Sequence, residues 1–358
     1  MTTPPASTSR PADRAGSARA LYARLLHWRW VLMAVLAIAI VFTTLVDFTL
    51  GPSGLGWPEL LRTLLHPAAA EPTTRVIVWD FRLPYSTMAV AIGLGLGLAG
   101  AEMQTILNNP LASPFTLGIS SAAAVGASLA IVLGLALPGI PAGWMVAGNA
   151  FVFAILSALL LEAVARWGGM DSSGMVLFGI ALVFSFNALV SLMQFIASAE
   201  DLQNLVFWTM GSLSRANWTT VGIMLAAFAL MLPLALRDAW KLTALRLGED
   251  RAASFGIDIR RLRLTSLLRI SLLAALAVAF AGTISFIGLI APHIARRLFG
   301  EDHRYYLPGS AVIGALILSL ASIASKNLAS GSIIPVGIVT SLVGVPFFLF
   351  VLLRRKVA

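Results

Sequence analysis

Apolar runs of about 18 residues or more, the length a helix needs to cross a bilayer, recur from Trp30 almost to the C-terminal end of this chain. That recurrence limits the fold more than any other feature. Composition agrees: 58% of the residues are hydrophobic and 11% charged, where a soluble domain has about half and about a quarter. The chain reads as an all-α polytopic membrane protein.

Ten membrane helices are expected, at about 30–50, 84–106, 115–137, 145–165, 175–198, 217–236, 264–283, 285–299, 308–326 and 335–353. The eighth is short and carries Pro292 and His293. With the N-terminus in the cytoplasm, only Arg62, Arg75, Arg82, Arg215 and Lys326 of the 25 Lys and Arg fall outside, as the positive-inside rule requires. Arg354, Arg355 and Lys356 then anchor the C-terminus inside. Residues 1–29, rich in Pro, Ser, Thr and Ala, are expected to form a disordered cytoplasmic tail, with 30–358 as the transmembrane domain. No A-x-A-like site follows the first apolar run, so it reads as a retained helix and not as a signal peptide. The net charge of +9 lies in loops and calls for no nucleic acid.

Several chemistries are excluded or disfavoured. There is no cysteine, hence no disulfide or thiolate site. G-x-x-x-x-G-K-[ST] is absent, so the chain lacks the loop that cradles nucleotide phosphates. H-E-x-x-H and G-x-S-x-G are absent as well. No catalytic, metal or cofactor residue is therefore assigned. His293 has no His, Asp or Glu three or four residues on, and is read as a cap or turn residue. Glu102, Glu162 and Arg166 lie near span ends, where snorkelling to the interface is expected. Asn187 and Gln194, seven apart, share one helix face; they line a polar path or bond a neighbouring helix. Gly93 and Gly97 give the small-xxx-small spacing that lets helices approach closely. Asn108-Asn109-Pro110 marks a turn, and Trp57–Arg62 a short surface helix in the first outer loop.

Between two apolar blocks stands a charged stretch, residues 237–263, with Arg237, Lys241, Arg246, Arg251, Arg260, Arg261 and Arg263. Inside it, Leu247 to Phe255 reads as a short helix stopped by Gly256, since glycine tolerates the left-handed C′ conformation. A basic helical knob between membrane blocks is a surface offered to a cytoplasmic partner.

The ordered motifs are Arg82-Leu83-Pro84, Gln104 with Asn109-Pro110-Leu111-Ala112, Leu117-Gly118-Ile119, and Trp208 with Gly211-Ser212-Leu213. There follow Leu247-Gly248-Glu249 with Ala252 and Gly256, Ile284 to Arg296 (ISFIGLIAPHIAR), Asp302-His303-Arg304 and Pro335-Val336-Gly337-Ile338. In this set the chain resembles the FecCD-type permeases of bacterial type II ABC importers for ferric siderophores, haem and cobalamin. The resemblance implies ten helices per subunit and a path between two permease subunits, homodimeric or heterodimeric. It also implies a cytoplasmic ATPase dimer that uses the ATP, a periplasmic or lipid-anchored binding protein, and residence in the inner membrane. Gly248, Glu249, Ala252 and Gly256 match the family's ATPase-coupling loop, while Arg82 and Lys326 match positions where the binding protein docks. Tyr85 stands in place of an arginine, Ser322 of an aspartate, Lys326 of an arginine and Ile333 of a glutamate.

Two other classes fit less well. An ion-coupled secondary transporter would show carboxylates near the membrane midplane, and an intramembrane enzyme would show a nucleophile–base pair.

Overall fold

Helix propensity and apolar length act together along the whole chain. In the computed structural model the described residues are 11–51, 54–135, 137–170, 172–329 and 331–354, and among them every regular element is helical. The first loop follows α1 (Pro11–Thr49) and contains α2 (Trp57–Leu65). A short helix, α3 (Pro72–Val76), runs through a π-helical stretch, Ile77–Arg82, into α4 (Leu83–Ile106) as one continuous span. Next come α5 (Ile119–Val132), α6 (Ala142–Trp167), α7 (Ser172–Ile196), α8 (Ala199–Thr209) and α9 (Trp218–Arg237). The charged stretch folds as α10 (Ala239–Leu245) and α11 (Glu249–Ser254). The remainder is α12 (Ile259–Ala281), α13 (Ile287–Phe299), α14 (His303–Asn327) and α15 (Val336–Arg354).

Each of the ten expected segments coincides with a helix, and among the described residues seven are long and apolar enough to span a membrane. The apolar α5 and α15 are shorter. The 13 residues of α13 rise about 20 Å, well short of a hydrocarbon core of about 30 Å. Three expectations need correction. Residues 11–29, expected as a disordered tail, are part of α1; their Ala, Arg and Leu are good helix formers, and extending a helix needs no new nucleus. The second span begins at Pro72, not 84. No helix is expected between residues 198 and 217, where α8 forms, capped by Ser198, whose side chain accepts from the Asp201 N–H. The rest of the tail, residues 1–10, and Arg355 and Lys356 lie outside the described residues.

The core sits around α4. Inside the protein 78% of its most apolar window is buried, against 17% for α1, and it packs on α1, α9, α12, α13 and α14. Lipid is as apolar as leucine, so hydrophobicity alone cannot place a helix at the centre of a bundle; small residues that allow close backbone approach can. A methyl at Gly97 would collide with the Ser310 carbonyl of α14, and one at Gly100 with the Gly288 carbonyl of α13. The expected Gly93–Gly97 seam therefore faces α14, with Gly93 against Gly314 and Ala315.

At the C-terminal end of α1, three helices meet at a buried carboxylate. Asp47 of α1, fully buried, accepts from Ser86 Oγ of α4 at 2.5 Å and from Ser322 Oγ of α14 at 2.7 Å. Lys326 Nζ completes the cluster at 2.9 Å from Asp47 Oδ2, with the Tyr85 ring 4.4 Å away. Lys326, matched to a docking position, has a side chain 3% exposed, held inside the bundle. Arg82 is buried too, its guanidinium donating to the Phe48 and Thr49 carbonyls at 3.2 and 2.9 Å. Both cations close the end of α1. Glu102, expected to snorkel, is also corrected: it is fully buried and paired with Arg269. Arg166 is exposed and Glu162 half-buried, as snorkelling requires.

Gly97→Val should destabilise the bundle by about 1–3 kcal/mol or more, because backbone and not a flexible side chain stands in the way; a lower melting temperature in detergent checks it. Asp47→Asn alone leaves Lys326 buried without its counter-charge and should cost about 3–5 kcal/mol, whereas Asp47→Asn with Lys326→Met should recover most of the loss. Equal melting temperatures for the single and double variants would contradict that.

Candidate coupling surface

Helix α9 ends at Arg237 because Asp238 turns the chain, and α10 starts one residue later. Gly248, at φ 109° and ψ 153°, then opens α11, and Gly256, at φ 78°, closes it. Both backbone conformations favour glycine, since a Cβ would strain them. The result is a two-helix knob. Ala252 is fully buried on its inner side, and Leu247, Asp250, Arg251 and Phe255 are exposed on its outer side. Glu249 is not wholly given to the exterior: its carboxylate pairs with Arg263. Gly248, Glu249, Ala252 and Gly256 are thus brought together as the turn, brace, floor and stop of one element.

Four connections fix this knob to the helices behind it. Arg269 of α12 donates to Glu102 of α4 from Nε at 3.0 Å and Nη2 at 2.5 Å, and to Asp238 from Nη1 at 3.0 Å. Asp238 also takes Lys241 at 2.8 Å. Burial raises the Asp238 pKa, but hydrogen bonds from Lys241 and Arg269 outweigh it and hold the carboxyl below its usual range, so it remains charged. Arg263, braced by Glu249, donates from Nε to the Ile106 carbonyl at the end of α4, 3.3 Å away. Arg246 forks onto Glu301 at 3.1 and 3.2 Å and reaches Asn108 at 3.2 Å. His303, buried, bridges Thr105 Oγ1 through Nε2 at 2.8 Å and Thr243 Oγ1 through Nδ1 at 3.0 Å.

The sequence reading singled out His293 as the histidine with polar surroundings, and the structure assigns that place to His303. His293 does not cap α13; it lies within it, its ring 5.9 Å from Phe347 of α15. The neighbouring Asp302 caps α14 through its side chain, a local signal for the start of that helix and not for the burial of His303. Nothing in the sequence pointed to Thr105 and Thr243 as its partners. The turn at 108–110 forms as expected, with Asn108 at φ 44° and Asn109 Oδ1 accepting from the Leu111 N–H at 2.9 Å.

Asn187 and Gln194 lie on α7, exposed and half-exposed. Neither is hydrogen-bonded to a neighbouring helix among the described residues. No group of three or more His, Cys, Asp or Glu that could hold a metal ion occurs among the described residues.

The arrangement is a stiff knob, open on one side and bonded to the bundle core on the other, suited to passing a displacement between a partner and α4. The comparisons with known proteins fit it. The hemin transport system permease protein HmuU of Yersinia pestis is 35% identical over 325 residues, covering 90% of this chain and 96% of the relative. The vitamin B12 import system permease protein BtuC of Vibrio vulnificus is 34% identical over 329 residues, covering 92% and 95%. A transporter described as metal-chelate type, solved in an inward-facing conformation, superposes with a TM-score of 0.78 at 30% identity, covering 90% of this chain and 99% of that one. The model of the FecCD transport family matches residues 36–354, and the chain belongs to that family of ABC importer permeases.

Proposed function

We propose that this chain carries an iron chelate, in the first instance a ferric siderophore, across the cytoplasmic (inner) membrane as one half of a paired permease. Relatives are named for hemin, vitamin B12, iron(3+)-hydroxamate and molybdate import, and a neighbour is described as of metal-chelate type; a metal chelate is the cargo class most of these names support. A ferric siderophore falls within it, and haem and cobalamin are the alternatives. The observation that carries the reading is the α10–α11 knob, whose exposed Leu247 and Phe255 offer an apolar contact to a separate ATPase. Work done there reaches α4 through Arg269, Arg263 and His303.

The exposed face of α7, with Asn187 and Gln194, faces a second permease subunit and contributes polar groups to the path between them. Both termini lie on the cytoplasmic side. On the opposite side a substrate-binding protein docks, and with Arg82 and Lys326 buried, the exposed Arg62, Arg75 and Arg215 are the cations left for it. The permease supplies two states of unequal stability, and nucleotide or cargo moves it between them only by binding those states unequally.

Gly256→Pro forces a φ near −65° on a residue at φ 78° and removes the N–H that bonds Ala253 O at 2.9 Å. Glu249→Arg sets like charge against Arg263. Both should abolish uptake and weaken assembly with the ATPase while membrane insertion is retained; normal uptake in either contradicts the coupling assignment. Cells lacking this chain should lose uptake of one class of ⁵⁵Fe-labelled siderophore and regain it with the wild-type chain. No iron defect across a siderophore panel assigns the permease to haem or cobalamin instead.

A further inference from the structure

Beside the knob, between α9 and α12, lies a cleft of about 750 Å³. Its walls are apolar where they run along the membrane spans, with Leu234 of α9 and Leu268 of α12 both exposed. Its rim is basic where the spans end. Four cations line it, Arg237, Lys241, Arg261 and Arg269, against two carboxylates, Asp238 and Asp258. Asp238 is taken by Lys241 and Arg269, and Asp258 Oδ1 accepts from the Arg261 backbone N–H at 3.0 Å. Arg237 and Arg261 have no ion-pair partner among the described residues. Trp240 stands at the same rim, its ring 6.2 Å from Phe255 of the knob.

A ligand complementary to this cleft is anionic at one end and apolar at the other, and it lies along the helices at membrane depth. A soluble protein or a free anion meets only the rim. We propose that the cleft binds an anionic phospholipid of the leaflet on the knob's side, its phosphate between Arg237 and Arg261 and an acyl chain along Leu234 and Leu268. Basic pockets between membrane helices suit such headgroups, and indole rings prefer the interface where they meet. The lipid would touch α9, α12 and the edge of the α10–α11 knob, so the leaflet becomes part of the support against which the knob moves. The inference rests on the membrane placement of α9 and α12, and not on the cargo or the ATPase.

The test uses the full chain in nanodiscs containing brominated phosphatidylglycerol or brominated phosphatidylcholine, reading the quenching that disappears in Trp240→Phe. The Trp240 component should saturate at a lower mole fraction of the anionic lipid than of the zwitterionic one. Arg237→Gln with Arg261→Gln should weaken that preference by about fivefold per arginine. Arg237→Lys with Arg261→Lys, which keeps the charge, should retain most of it, separating charge recognition from misfolding. Equal quenching by both lipids, or an unchanged preference in the Gln pair, overturns the proposal. So does displacement of the brominated lipid by inorganic phosphate at constant ionic strength, which would assign the cleft to a soluble anion. Because the readout is lipid contact and not uptake, a failure here leaves the transport reading intact, and a failed uptake assay leaves this one intact.

Discussion

The bonds of Arg269 to Glu102 and Asp238 are the contact on which the working parts of this protein depend. A charge buried among apolar helices is costly unless paired and fully hydrogen-bonded. Here one guanidinium answers a carboxylate on α4 and another at the α9–α10 turn, Ser266 accepts one more of its N–H groups, and Lys241 balances the remaining negative charge. The geometry is demanding, because removing Arg269 would leave the fully buried Glu102 charge without its partner in a low-dielectric environment. That is why the triad joins the knob to the core as a rigid connection and not as a loose surface pair.

The same logic operates at the other end of the bundle. Asp47, Lys326, Ser86 and Ser322 tie α1, α4 and α14 through one buried carboxylate. Ser322, read as the loss of an acidic residue, accordingly marks no gap in the packing: it donates to a carboxylate supplied by α1. Between the two clusters α4 acts as a post, held laterally by glycine contacts to α13 and α14 and pinned near each end by charge. A displacement applied at the knob therefore enters the most buried helix of the chain directly.

The corrections share a cause. Glu102 is read from its distance along the chain to a span end, which predicts snorkelling, and Arg82 and Lys326 from the family positions they match, which imply an exposed docking face. Each is buried because another helix brings it a partner from far away in sequence: Arg269 for Glu102, the carbonyls of Phe48 and Thr49 for Arg82, Asp47 for Lys326. A one-dimensional reading sees depth but not the direction in which a side chain leaves its helix. His303 was missed for the same reason, since Thr105 and Thr243 come from elements far from it in the chain. The glycine seam of α4 and the glycine-bounded knob were legible because their signals are local, resting on spacing and backbone conformation.

By itself the sequence determined the bilayer environment, the helical class, the approximate place of each span, and the family. Those follow from apolar length, charge distribution and ordered motifs, all properties of contiguous residues. Only the tertiary structure decided which helix stands at the centre, which charges are consumed inside, and which arginines remain open on the rim of a cleft. Those outcomes depend on pairing groups far apart in the chain, and the energy of a buried charge is set by the partner that reaches it, not by its neighbours in sequence.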